Sequence, residues 1–393
     1  MNLASNRLGD GLSSIRFYGA ISMLCIHVVI FLMLFGFKTP SGLSFVDGSF
    51  TILGFYNMKY SIVFSMGERI IKLFFVLSGF LLSYQFFQNT ESLTIIKVKH
   101  YFTNRAKRIL PLYFFMILIW FFILPRLSFF TPHQELVANY NHYFEKLLCY
   151  FLLSPHAIDL FTENLPYAQV AWSVGVECWF YIVLPLFFLL PNKTACAFSI
   201  GINVVYVLFM VLQNLGYLDI VLLGSTNAES QKFFIQRLSV FDFSIGALCA
   251  WLVVKHKSFT INFLFNKPVQ LFSFISAILL IFVCNTNIYS LIGLSALLGV
   301  IIMNVASNEQ VYFPLKRKWI VKGGDYAYSI YLWHPIAIYI NMAVAERYFH
   351  VQVVSVFIFF LLLLGSIFST IFVATISYRF IEKPFLKKRI NHV

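Results

Sequence analysis

The sequence predicts an all-α, polytopic membrane bundle of about ten transmembrane helices with both termini cytoplasmic. Three observations carry that expectation. Of 393 residues 60% are hydrophobic and only 11% charged, with 47 Phe and 21 Tyr, and the mean hydropathy is +0.80, which no soluble domain shows. The apolar runs last about 20 residues, the length that crosses a bilayer as helix, without the in/out alternation of a β-barrel. Basic residues gather in alternate loops, as the positive-inside rule demands.

In chain order the spans fall near 15–37, 62–87, 109–128, 169–191 and 195–213, then near 238–254, 268–284, 288–306, 328–345 and 353–376. Leu147–Leu153 is too short to cross and is expected to lie in the interface or re-enter. Met1 to Gly11 is polar and no small-residue cleavage site follows, so the first span is expected to be its own insertion signal. The basic loops hold Lys97, Lys99, Arg105, Lys107 and Arg108, then Lys193, then Lys255, Lys257 and Lys267. They continue with Lys316, Arg317, Lys318 and Lys322, and end with Arg379, Lys383, Lys387, Lys388 and Arg389. The opposite loops carry Glu135, Glu145, Asp159, Glu163, Asp219 and Glu229. The whole chain reads as one integral-membrane domain, 15–376, with a basic tail, 377–393.

The net charge of +13 lies in loops on one side, which points to topology and anionic lipid headgroups and not to nucleic acid. The six cysteines form no CxxC or Cys/His cluster, so neither metal nor disulfide is expected. His100, His133, His142, His156, His256 and His350 fall in loops or at the membrane surface and receive no role. Trp120, Trp251 and Trp319 read as interfacial or packing residues.

His27 differs. It sits about 16 Å into the first span, eleven residues after Arg16, and eleven helical steps put both on one face. An ionisable group at that depth marks a function more often than a packing accident. Glu177 lies eight residues into a span entering from outside, about 12 Å down, at a depth that matches His27. There a carboxylate can orient an imidazole. Ser173, Glu177 and Tyr181 share a helix face at i, i+4 spacing, as do Tyr331 and His334 at i, i+3. The same reckoning puts Ser78 and His334 in the cytoplasmic half, beside the basic loop Lys97–Arg108. Arginines there suit a phosphate-rich ligand through bidentate bonds.

Six elements in order resemble the membrane-bound acyltransferase-3 family, which O-acylates bacterial surface sugars. They are Arg16 with His27; Phe74-Phe75-Val76-Leu77-Ser78-Gly79-Phe80; and Arg105, Arg108, Ile109, Pro111 and Tyr113. The others are Trp172, Ser173, Glu177, Phe180 and Tyr181; Ser329, Tyr331, Leu332, His334 and Pro335; and Tyr378 to Pro384. The resemblance implies acetyl-CoA as cytoplasmic acyl donor, held by Arg16, Ser78, Arg105, Arg108, Tyr331 and His334. It implies His27 and Glu177 as catalytic residues, and Trp172, Ser173 and Tyr181 as contacts to a glycan or lipid-linked sugar acceptor, such as an O-antigen or lipopolysaccharide sugar. The implied location is the bacterial cytoplasmic (inner) membrane. Some relatives carry a fused extracytoplasmic esterase-like domain, and the short tail here favours direct modification of the glycan. One departure is the run Glu68-Arg69-Ile70-Ile71-Lys72-Leu73, where i, i+4 spacing pairs Lys72 with Glu68. The competing function is a transporter or flippase with His27 and Glu177 as proton relay.

Overall fold

A computed structural model describes residues 3–38, 50–52, 56–58, 60–88, 95–127, 142–162, 164–165, 167–187, 192–214, 235, 237–282, 288–312 and 317–386. Glu135, Glu163, Asp219, Glu229, His133, Lys316 and the tail residues Lys387, Lys388 and Arg389 of the sequence reading lie outside them.

The described chain is nearly all helical. Its long helices are α1 (Leu3–Leu34), α2 (Tyr60–Gln88), α3 (Ile95–Ile117), α4 (Tyr143–Phe151), α5 (Ala171–Phe187) and α6 (Asn192–Asn214). They continue with α7 (Val240–Lys255), α8 (Lys267–Phe282), α9 (Ile288–Ser307), the short α10 (Lys318–Gly323), α11 (Ala327–Phe349) and α12 (Val356–Ser377). A small antiparallel hairpin, β1 (Phe50–Ile52) and β2 (Tyr56–Met58), pairs Phe50 with Met58; the hydropathy pattern did not foretell it.

The described helices overlap the apolar runs of the sequence. Five helices among the described residues are long and apolar enough to cross a membrane, or six if Lys257–Leu264 and Lys267–Phe282 form one bent span. Ala171–Leu186 and Ala197–Leu212 are shorter apolar helices. The protein is therefore a multi-pass helical membrane protein. Helix α12 shows the membrane's inverted polarity: Ser366 and Thr370 are buried, whereas Phe368 and Phe372 are 74% and 57% exposed. Small polar residues pack against neighbours and large apolar ones face lipid.

The basic stretch Lys97–Arg108 is not a loop. It forms the first turns of α3, which runs on through a π-helical turn (Leu118–Ile123) to Arg126. Polar residues with good helix propensity let the span extend beyond the membrane.

The chain divides into two compact units woven from alternating segments. The first comprises Met1–Gly19, Glu68–Val98 and Val176–Asp325. Its core gathers Leu12, Val76, Leu77, Phe80, Ala250, Leu294 and Ile302. Here α2 and α7 meet backbone to backbone: a Cβ on Gly79 would lie 2.2 Å from the Phe243 carbonyl oxygen, and one on Gly246 2.2 Å from that of Val76. Only glycine permits this approach, which stacks Phe243 on Phe180 of α5 at 3.9 Å. The charged run in α2 also finds a partner. Lys72 Nζ lies 3.1 and 2.9 Å from the two carboxylate oxygens of buried Asp242 on α7. The close ion pair is with Asp242, which spacing alone did not offer, while the Lys72 charge also acts on Glu68, the neighbour that i, i+4 spacing gave it.

The second unit comprises Ala20–Gly67, Lys99–Gly175 and Tyr326–Val393. Expected to lie in the interface or re-enter, α4 docks on α3 through tyrosines. The Tyr113 hydroxyl donates to the Tyr150 carbonyl at 3.1 Å, and Tyr143 donates to the Phe121 carbonyl at 2.7 Å. Tyr150 itself bonds Asn164 Oδ1 at 2.8 Å and the Ala168 carbonyl at 2.9 Å, so buried hydroxyls are satisfied. Trp120 packs edge-on against Tyr150 and is fully buried. His156 is buried as well, and not at the surface as its place between spans implied: the segment 155–160 folds into a short 3-10 helix against α5, where a Cβ on Gly175 would touch it.

Candidate functional site

In the second unit α1 and α11 bring two histidines together. His27 Nδ1 lies 2.9 Å from the Met23 carbonyl. A carbonyl only accepts, so Nδ1 carries the proton, and a neutral ring then presents its Nε2 lone pair. His334 repeats the arrangement, with Nδ1 3.3 Å from the Ile330 carbonyl. The two rings stand 4.8 Å apart at 64°. His27 is half-buried and His334 fully buried. Pro335 directly follows His334 inside α11 and interrupts the helical hydrogen-bond ladder there.

Tyr331 extends the cluster. Its ring lies 5.6 Å from His334, and its hydroxyl sits 2.8 Å from Ser173 Oγ and 3.0 Å from the Val170 carbonyl. Ser173 also reaches that carbonyl at 3.2 Å. Two hydroxyl protons serve three contacts, so the pair can turn to meet another group without breaking the set. A turn away, Ser329 donates to the Glu382 carboxylate, Tyr328 donates to the Ile109 carbonyl at 3.1 Å, and the Arg108 charge acts on Glu382. Three motifs far apart in sequence, around Arg108, Ser329 and Glu382, therefore converge.

In the first unit Glu177 is the focus. Ser78 and Tyr181 both donate to its Oε1. Tyr181 reaches it along one helix face, as i, i+4 spacing requires. Nearby in the same unit, Asp242 takes Lys72 and the Ser295 hydroxyl. Sequence reasoning passed over Asp242, although a lone acid within an apolar run is itself a signal.

Two depth expectations change. Residue counting puts Ser78 in the cytoplasmic half and Glu177 about 12 Å down from the outer face, yet they share a hydrogen bond. His334 was likewise placed below His27, yet their rings touch. Counting residues assumes that each helix begins at the membrane face and runs straight along its normal, whereas helices begin early and tilt. The expected carboxylate partner of His27, Glu177, belongs to the other unit. The groups seen on His27 within its own are the Met23 carbonyl and the His334 ring. Among the remaining expected residues, Arg16 is half-buried on α1 and Trp172 half-buried on α5. Arg105 lies over the Tyr101 ring at 5.8 Å on α3.

Residues 10–379 match the family model described as an acyltransferase domain. The chain is 24% identical over 375 residues to the O-acetyltransferase OatA of Staphylococcus aureus (strain NCTC 8325 / PS 47), covering 89% of this chain and 58% of that protein. It is also 24% identical over 353 residues to a putative O-acetyltransferase of Staphylococcus aureus (strain COL), covering 81% and 52%. A shorter Haemophilus influenzae (strain ATCC 51907 / DSM 11121 / KW20 / Rd) protein is 23% identical over 234 residues, covering 58% of this chain and 92% of its own length. The chain thus spans a little over half the length of the O-acetyltransferases it resembles. No solved structure matches it.

Proposed function

The chain belongs to the acyltransferase-3 family, and from that premise we propose that it is an O-acyltransferase moving an acetyl group from cytoplasmic acetyl-CoA to a hydroxyl of a surface or lipid-linked glycan. The observation that carries the reading is His27: its Nδ1–H is committed to the Met23 carbonyl, so its Nε2 is held ready as a base. In the proposed step the acceptor hydroxyl gives its proton to Nε2 while its oxygen attacks the thioester carbonyl. The carbon–sulfur bond then breaks, and the departing thiolate takes up a proton. Thioesters are already activated, so positioning and deprotonation suffice.

The donor phosphates are assigned to Arg105 and Arg108 on the basic turns of α3, whose guanidinium groups suit them. Trp172 and Ser173 are assigned to the acceptor. This assignment goes with ten spans, both termini inside, and residence in the bacterial inner membrane among its anionic lipids.

The test is mass spectrometry of the surface glycan from cells carrying the gene, its deletion, or His27→Ala. The expected result is an ester mass present only with the intact gene, while His27→Ala accumulates normally. Normal ester content in that variant removes His27 from the mechanism. Movement of a glycan without thiol release from acetyl-CoA favours a transporter.

A further inference from the structure

His334 Nε2 is buried and has no hydrogen-bond partner among the described residues. An unmet buried acceptor costs stability, and an apolar ring of the same shape would avoid that cost. Its Nδ1 is bonded to the Ile330 carbonyl, so the bare lone pair belongs to Nε2. The rings beside it are those of His27 at 4.8 Å and Tyr331 at 5.6 Å, and no carboxylate or cation among the described residues is bonded to it. Two imidazolium ions at that contact distance repel strongly in a low-dielectric surround, so the pair carries at most one positive charge at a time. His27, the partly exposed member, is the one a substrate can reach.

We propose that His334 is a positioning residue for His27, resting on the reading of His27 as the base. A neutral imidazole stands against the base. When His27 takes the acceptor's proton, the new imidazolium meets a ring and a lone pair instead of hydrocarbon. The proton leaves again with the thiolate, and His334 stays neutral throughout. This moves His334 from the acyl donor, where the family resemblance put it, to the base.

The experiment follows thiol release from titrated acetyl-CoA in detergent-permeabilised membranes of the producing cells, which supply the native acceptor. His334→Phe keeps a ring and removes both nitrogens. The expected maximal rate falls about a hundredfold, while KM for acetyl-CoA stays within about twofold and the unfolding temperature holds or rises. His334→Gln restores a neutral acceptor and recovers about tenfold of the rate. Should His334→Phe fail to accumulate, His334→Leu takes its place with the same expectations. A wild-type rate without the imidazole, a loss expressed as a higher KM for acetyl-CoA, or a Gln variant no better than the apolar one overturns the inference. His27→Ala is assayed alongside. If it keeps full rate, the base assignment itself falls. An inactive His27→Ala beside a fully active His334→Phe removes only the role of His334.

Discussion

Ser78 on α2 donates its hydroxyl proton to Oε1 of Glu177 on α5, the same oxygen that receives the Tyr181 phenol. Both donors fall on one oxygen, which leaves Oε2 to engage another group. The glycine after Ser78 makes this possible. Gly79 lets α2 lie directly on the Phe243 backbone, and Phe243 in turn stacks on Phe180, three residues beyond Glu177.

Glu177→Gln keeps an oxygen for both donors and replaces Oε2 with an amide, so it isolates the charge. We expect acyl transfer to fall by about a hundredfold or more with little change in unfolding temperature. Ser78→Ala removes one of two bonds to a charged group, worth about 1.5–3 kcal/mol, and is expected to lower activity by roughly tenfold or more. Near-normal glycan ester content in Glu177→Gln, with a lowered protein level in Glu177→Ala, would instead make Glu177 a helix clamp.

The helices and the polar motifs were legible because the bilayer leaves so few options. A span needs about 20 apolar residues, and an ionisable group among them stands out. Partners were not legible. The i, i+4 rule offered Glu68 to Lys72, whose charge does act on it, but gave no sign that folding brings Asp242 from 170 residues away. Depth counting set His27 beside Glu177 in level, but gave no means to see that α11 presses the His334 ring against it. Such contacts depend on tilt and on close helix crossings at Gly79 and Gly246, which hydropathy does not encode.

The Lys72–Asp242 pair invites a stability test. Asp242 is fully buried and Lys72 nearly so, and removing one partner of a buried pair leaves an uncompensated charge. Lys72→Met is therefore expected to destabilise the protein by about 3–5 kcal/mol, read as a lower unfolding temperature in detergent. The double variant Lys72→Met with Asp242→Leu should recover most of that loss, since Asp242 is no longer left buried without its partner and Ser295 retains the Leu291 carbonyl at 3.0 Å. Equal stability of Lys72→Met and wild type would show that the pair contributes nothing.

Arg108 tests which substrate the basic turns of α3 serve. It lies at the start of the apolar part of α3, where its charge acts on Glu382, and Tyr328 fixes the next residue's carbonyl. A guanidinium offers a planar fork that matches a phosphate. Arg108→Ala is expected to raise KM for acetyl-CoA about tenfold or more, the loss of one charge-assisted contact, while the maximal rate changes less. Arg108→Lys should recover only part, because an ammonium cannot make the bidentate contact. Arg105→Ala should act in the same direction. Thiol release from titrated acetyl-CoA reads all three variants. A donor KM unchanged in Arg108→Ala, with the loss confined to acceptor use, would detach α3 from the donor and return its basic turns to membrane topology and lipid contact.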